Sequence, residues 1–206
     1  MSAPARFHPA TDVQLLDRTT VFQGYFRVDR YQLRHRRYDG AFSRPITREV
    51  FERGHAAAVL PYDPAADAVV LIEQFRIGPY ARGDYPWQVE TIAGIMKDGE
   101  TAPDVARREA LEEAGCTVTT LEPVASYYMS PGAVSEHMTL YCGRTDAAGL
   151  GGVHGLAEED EDIRVSVVPL ADALARVRAQ AIGNSPALIA LLWLALERDR
   201  LRATWR

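Results

Sequence analysis

Residues 94–116, GIMKDGETAPDVARREALEEAGC, constrain this chain more than any other stretch. Thr101, with Asp104 three residues on, predicts a helix start, and Gly115 predicts an end in a left-handed residue. A helix is therefore expected over Ala102–Ala114, with Val105, Ala106, Ala110 and Ala114 on an inward side. Glu109 and Glu113 stand one turn apart on one face, with Glu112 beside them. Left to solvent, this arrangement is unfavourable. Like charges at i,i+4 repel by about 0.2–0.5 kcal/mol, and carboxylates in the last turn oppose the helix dipole at ~0.3–1 kcal/mol each. Arg108, four residues before Glu112, offsets only part of this. A divalent cation would reverse the sign, and clustered carboxylate oxygens suit hard ions such as Mg²⁺ or Mn²⁺. The competing reading is a plain solvated, glutamate-rich helix.

Composition narrows the choice. With 206 residues, 47% of them hydrophobic, the chain can bury a core without disulfides or a structural metal. The net charge of −5 disfavours a nucleic-acid binder. Lys97 is the only lysine, and Asp98 follows it. A Gly-Lys-Ser/Thr phosphate loop is thus absent, and a Schiff-base enzyme would have to use that one residue. Cys116 and Cys142 form no CxxC pair, which fits buried free thiols in a reducing compartment better than a zinc or redox site. Neither a signal peptide near Met1–Ala10 nor a membrane span is evident, since the longest apolar stretch is Pro186–Leu196. A soluble, cytoplasmic protein is expected, with neither nucleic acid nor membrane as partner.

Periodicity divides the chain near Gly54. Before it, period-two alternation around Tyr25–Leu33, a turn at Asp39-Gly40 and a second extended stretch over Ala41–Phe51 predict an antiparallel sheet with little core of its own. Pro45 marks an edge or a bulge there. Beyond it, Ala56–Leu60, Ala68–Phe75, Trp87–Ile92, Val124–Tyr128, Met138–Gly143 and Ile163–Val168 read as strands. Helices are expected at Leu170–Gln180 and Pro186–Arg200, the latter capped by Ser185 and apolar on most faces. Asp146–Asp162, glycine-rich and then acidic, shows no periodicity, and a loop that long is commonly functional. The expected class is α+β, with an N-terminal sheet over 1–54 and a catalytic domain over 55–206.

The spacing Gly94-x5-Glu100-x7-Arg108-Glu109-x2-Glu112-Glu113-x-Gly115 fixes seven positions. At ~6% usage per residue type, a chance match over this length is on the order of 10⁻⁶ or less. At these residues the chain resembles the Nudix hydrolases. Ala110 and Cys116 are smaller than the bulky aliphatics of the family pattern, which bears on helix packing rather than metal chemistry. The resemblance implies an αβα sandwich with a mixed sheet and Mg²⁺-dependent cleavage of a nucleoside diphosphate linked to another moiety.

FERGHAAAVLPYDP, VVLIEQFRIG, SPGAVSEHM and GVHGLAEEDEDIRV further resemble bacterial members of that family that cleave ADP-ribose. This resemblance implies a homodimer whose N-terminal sheets swap onto the partner. It also implies Glu109, Glu113 and nearby Glu112 as metal ligands, with the carbonyl of Ala93. Glu159 is implied as general base and Glu161 as its metal-side neighbour. Arg76 would meet the diphosphate, Tyr25 would stack on adenine with Arg48 and Glu49 at its edge, and Ser130 and Glu136 would contact the terminal ribose. His55 and His137 read as structural. Two other readings stay open: a related substrate such as GDP-mannose, and a non-catalytic ADP-ribose sensor.

Overall fold

The computed structural model describes residues 6–156, 158 and 160–205, and the chain divides into two units. The first comprises Met1–Gly54 together with Tyr128–His137, a segment not expected to join it. After a one-turn helix, α1 (Pro9–Asp12), come β1 (Val13–Gln23), β2 (Arg27–His35) and β3 (Ile46–Glu52), an antiparallel sheet in that order. Asp39-Gly40 does make the turn before β3: Gly40 is left-handed and the Asp39 carboxylate accepts the Ala41 N–H. Pro45, which has no N–H to give to a ladder, stands just outside β3. The register of β1 on β2 slips between Leu15 and Asp17 and again between Thr20 and Phe22. From the added segment, the Ala133 carbonyl accepts the Phe51 N–H.

Asp29 at the centre of β2 is fully buried and accepts hydrogen bonds from Arg18, Thr20 and Arg27. Arg18 and Thr20 hold its carboxyl below the usual carboxylate range. Among the described residues of this unit, the other buried one is Glu136, paired with Arg53 at 3.4 Å. Both buried residues are acids. By contrast Val13, Leu15, Leu16, Val21 and Phe22 of β1 are exposed.

The second unit is built on a mixed sheet. It contains β4 (Ala56–Asp63), β5 (Ala68–Phe75), β6 (Trp87–Glu90), β7 (Ile92–Ile95), β8 (Thr120–Tyr128) and β9 (His137–Arg144) but for their end residues Tyr128 and His137, β10 (Gly152–His154) and β11 (Ile163–Pro169). The order is β10-β11-β5-β4-β9-β8, with β6 on β5 and β7 on β4, and β4 and β9 are a parallel pair. The strand expected over Trp87–Ile92 is in fact two. Its neighbours β4 and β5 pair directly only at Tyr62–Val69 and Asp63–Ala68, then diverge. The chain between them follows β5 as far as Glu90 and switches to β4 from Ile92, with the Thr91 hydroxyl donating to the Val59 carbonyl. Part of the expected structureless loop is also a strand, β10, paired on β11.

Helix α3 (Ala102–Ala114) packs on one face, where Ala106, Ala110 and Ala114 meet Val59, Val70, Ile72, Ile92, Ile163 and Val165. Alternation sends Ala58, Leu60, Val69 and Leu71 to the other face. There α4 (Leu170–Arg178) and α5 (Ser185–Thr204) pack against β4, β5, β6 and β11; α2 (Ile77–Arg82) is a short helix after β5. The cap of α5 is Asn184, not Ser185, because its carboxamide oxygen is the group that reaches the Ala187 N–H, at 3.0 Å. Nor is α5 buried all round: Ala187, Ala190, Leu191 and Leu194 face the core, while Leu192 and Leu196 are exposed.

Candidate active site

Local sequence brings the carboxylates of α3 to the sheet. Thr101 starts the helix in extended conformation, its hydroxyl donating to the Asp104 carboxylate rather than accepting a backbone N–H. Gly115 ends it at φ 58°, as expected. The three inward alanines let the helix lie close, and Gly94 on β7 completes the approach. A Cβ at residue 94 would stand 1.7 Å from Glu109 Oε1. Only a glycine leaves the groove in which the Glu109 carboxylate rests. One turn later, Glu113 is 3% exposed and its Oε2 accepts the Ala93 N–H at 3.2 Å.

These two carboxylates are short of compensating charge. Burial pushes the Glu113 carboxyl up to about 8; the charges of Glu109 and Glu161 add to that, against the Ala93 N–H and Arg76. Glu109 is also raised, first by burial, with Arg108 opposing and Glu112 and Glu161 adding. Arg108 serves the outer carboxylates: it donates to Glu100 at 2.9 Å, Glu109 at 2.7 Å and Glu112 at 2.9 Å. Its guanidinium therefore offsets more of the helix repulsion than the i,i+4 spacing to Glu112 implies, yet makes no bond to Glu113. Glu112 is the most exposed of the three on the helix.

Across the site, Arg76 at the end of β5 grips the buried Glu90 of β6 through Nε and Nη2, at 2.8–3.2 Å. The charges of Glu113 and Glu161 both act on Arg76. Glu161 lies just before β11, with its Oε2 accepting the Leu156 N–H at 3.2 Å. Gly155, at φ 107°, allows the loop to turn back there, since a Cβ would meet the Cβ of Glu161 at 2.7 Å. Glu159 lies outside the described residues. Among the described residues no three acidic, histidine or cysteine side chains already surround a single cation-sized point.

The structure thus brings together Arg76, Ala93, Glu109, Glu112, Glu113 and Glu161, all in the second unit. Tyr25, Arg48, Glu49, Ser130 and Glu136 belong to the first. There Tyr25 is 88% exposed with its ring edge-on to Phe26. Arg48 and Glu49, being consecutive on β3, point to opposite faces of the sheet, and Glu49 pairs with Arg30 at 3.0 Å. Ser130 opens a turn, its carbonyl accepting the N–H groups of Ala133 and Val134. The participant that sequence reasoning missed is Glu90. Its signal was present: an acid between core positions of a strand must have a partner.

Similarity to known proteins fits this geometry. An ADP-ribose pyrophosphatase of Escherichia coli strain K12 is 47% identical over 194 residues, covering 94% of this chain and 93% of that protein. A GDP-mannose pyrophosphatase of Cronobacter sakazakii is 35% identical over 187 residues, covering 90% and 96%. The crystal structure of an ADP compounds hydrolase shares the fold at a TM-score of 0.69 and 21% identity, covering 94% of this chain and 96% of that one. The NUDIX domain pattern matches residues 52–189, a span that holds every group gathered around α3. With the matched span, the relatives and the glycine-cradled glutamates in agreement, the chain belongs to the NUDIX family.

Proposed function

We propose that the protein hydrolyses ADP-ribose to AMP and ribose 5-phosphate with a divalent cation, Mg²⁺ for preference and Mn²⁺ as substitute. One observation carries the reading: Glu113, buried, and Glu109, half-buried in the cradle that Gly94 leaves, stand a turn apart on one helix face, and Arg108 reaches only the second. Their hard oxygen donors suit such a cation. Glu109 and Glu113 would hold it, with Glu112 and the Ala93 carbonyl nearby. When bound, the ion supplies charge neutralisation at the diphosphate and acidifies water in the site.

The remaining steps fall to the chain. Arg76 spends Nε and Nη2 on Glu90, which fixes the guanidinium and directs Nη1 to a phosphate oxygen. Glu159 takes a proton from the attacking water. As the water oxygen bonds to phosphorus, the bond to the bridging oxygen breaks in line, and the electron pair leaves on the departing phosphate. Glu161, held by the Leu156 N–H, steadies the loop that carries the base.

Residues 55–206 are the catalytic domain in this reading, and 1–54 a dimerising sheet that also meets substrate. The exposed apolar side chains of β1, in a unit whose described buried residues are acids, support a homodimer with swapped N-terminal sheets. Tyr25, Arg48 and Glu49 would then receive the adenine, and Ser130 and Glu136 the terminal ribose. A cytoplasmic location is in keeping with buried, unpaired Cys116 and Cys142; among the described residues, no helix is long and apolar enough to cross a membrane.

ADP-ribose is preferred to GDP-mannose because the relative acting on the former is the more similar. The test is side-by-side turnover of both compounds with Mg²⁺, read by phosphorus NMR in ¹⁸O-water. Faster release of AMP and ribose 5-phosphate from ADP-ribose is expected. A preference for GDP-mannose, or saturable binding of ADP-ribose without turnover, would overturn it.

A further inference from the structure

Gln74 of β5 is placed by strand register. Across β6, Gln74 opposes Gln88 and Ile72 opposes Glu90; across β11, Ile72 opposes Val165. Opposed residues share a face, and alternate residues along a strand return to it. Ile72, Gln74, Gln88, Glu90 and Val165 therefore project to one side. That side is the one covered by α3, because Ile72 and Val165 pack with Ala106, Ala110 and Ala114. Gln74 stands one step inward from Arg76, between the core and the Arg76–Glu90 pair. Its residue is 7% exposed, and its amide Nε2 is buried without a hydrogen-bond partner.

A buried orphan donor costs about 1–3 kcal/mol, and folded chains rarely retain one without use. Arg76 donates to Glu90, the Gln88 amide donates to the Tyr85 carbonyl, and neither Glu90 nor Gln88 bonds Gln74 Nε2. An N–H₂ group needs an oxygen with a free lone pair, and a phosphate oxygen supplies one. We propose that Gln74 is a substrate-binding residue, its Nε2 donating to an oxygen of the diphosphate that Arg76 engages. This inference rests on reading the site as one for a nucleoside diphosphate sugar. A neutral donor there adds a bond to the anion without adding a second cation beside Arg76.

Gln74→Met keeps the shape and deletes the donor. The expected result is a KM for ADP-ribose raised about tenfold, kcat changed less than threefold, and a Tm equal to or above wild type. A structural role would instead lower the Tm. The chain has six glutamines, so the side-chain amide pair of Gln74 can be assigned in ¹⁵N spectra by its loss in the variant. In wild-type protein with EDTA, that pair is expected to move on titration with ADP-ribose and with inorganic pyrophosphate. An unchanged KM, a lowered Tm, failure of Gln74→Met to fold, or an amide pair that stays fixed in both titrations would overturn the inference. If wild type fails to cleave ADP-ribose while pyrophosphate still moves the amide, the substrate reading fails and Gln74 stands as an anion-binding residue.

Discussion

The two units resolve the conflict between burial and charge in opposite ways. The N-terminal unit buries acids and exposes aliphatic and aromatic side chains: Asp29 is enclosed by Arg18, Thr20 and Arg27, whereas Leu15, Leu16 and Phe22 face outward. The larger unit buries a continuous apolar core and, at its edge, Glu113 without an ion pair, beside a half-buried Glu109 that shares Arg108 with two other carboxylates. The donors around Asp29 outweigh the cost of burying it and favour its charged form, so that cluster stabilises the fold as it stands. At Glu113, burial and like charges disfavour ionisation, so the site carries a strain that the core beneath it must offset. A satisfied acid is structural cement; an unsatisfied one is chemistry waiting for a cation or a substrate.

The largest effect that would test this contrast is at the base. Glu159→Gln is expected to lower turnover by about 10²–10⁴-fold with the circular dichroism spectrum unchanged. If that variant stays active while Glu161→Gln is dead, the base has been assigned to the wrong glutamate. Gly94→Ala comes next. A Cβ would occupy the place of the Glu109 carboxylate, so steady-state assays should show a loss of roughly 10–100-fold, partly recovered at high Mg²⁺. If Gly94→Ala keeps wild-type activity, the cradle has no functional part.

For the N-terminal unit, the paired change Leu15→Asp and Phe22→Asp should convert a dimer to monomer in sedimentation velocity. The thermal transition of the larger unit should stay in place, because exposed substitutions usually cost within ±0.5 kcal/mol. A wild-type protein that sediments as a monomer would remove the reason given for the exposed face of β1.

The smallest effect is the most discriminating, since the units should respond to pH with opposite sign. Asp29 has a depressed pKa, so its contribution is present above the unfolded value, about 4, and is lost as pH falls through the folded one. Glu113 has a raised pKa: the folded site holds its proton while the unfolded chain releases it, so stability declines as pH rises from about 4.5 towards 8. Metal-free protein should therefore lose thermal stability across that window, and Glu113→Gln should flatten the slope. For a chain of this size each kcal/mol relieved raises Tm by about 2–4 °C. A slope that Glu113→Gln leaves intact would place the strain elsewhere.

Much of this was legible from residue types and spacing. The chain's helix signals, its alternating strands and the glutamate spacing are local, and local patterns survive in one dimension. Glu109 and Glu113 could be chosen because i,i+4 geometry alone puts the two acids on one face, and Gly94 because the motif spacing begins there. Glu90 was missed because its meaning depends on tertiary contact: it lies in an ordinary strand until the pairing of β6 with β5 brings it to Arg76. The split between β6 and β7 was invisible for the same reason, since it follows from the divergence of β4 and β5. What sequence determined by itself is the main helices and most strands of the larger unit, the family and the acids gathered on one helix face. What tertiary structure alone decided is which polar groups find partners, because desolvation and pairing act between residues that only packing brings together. Arg108 takes up three carboxylates, Glu90 is taken by Arg76, and Gln74 Nε2 has no partner.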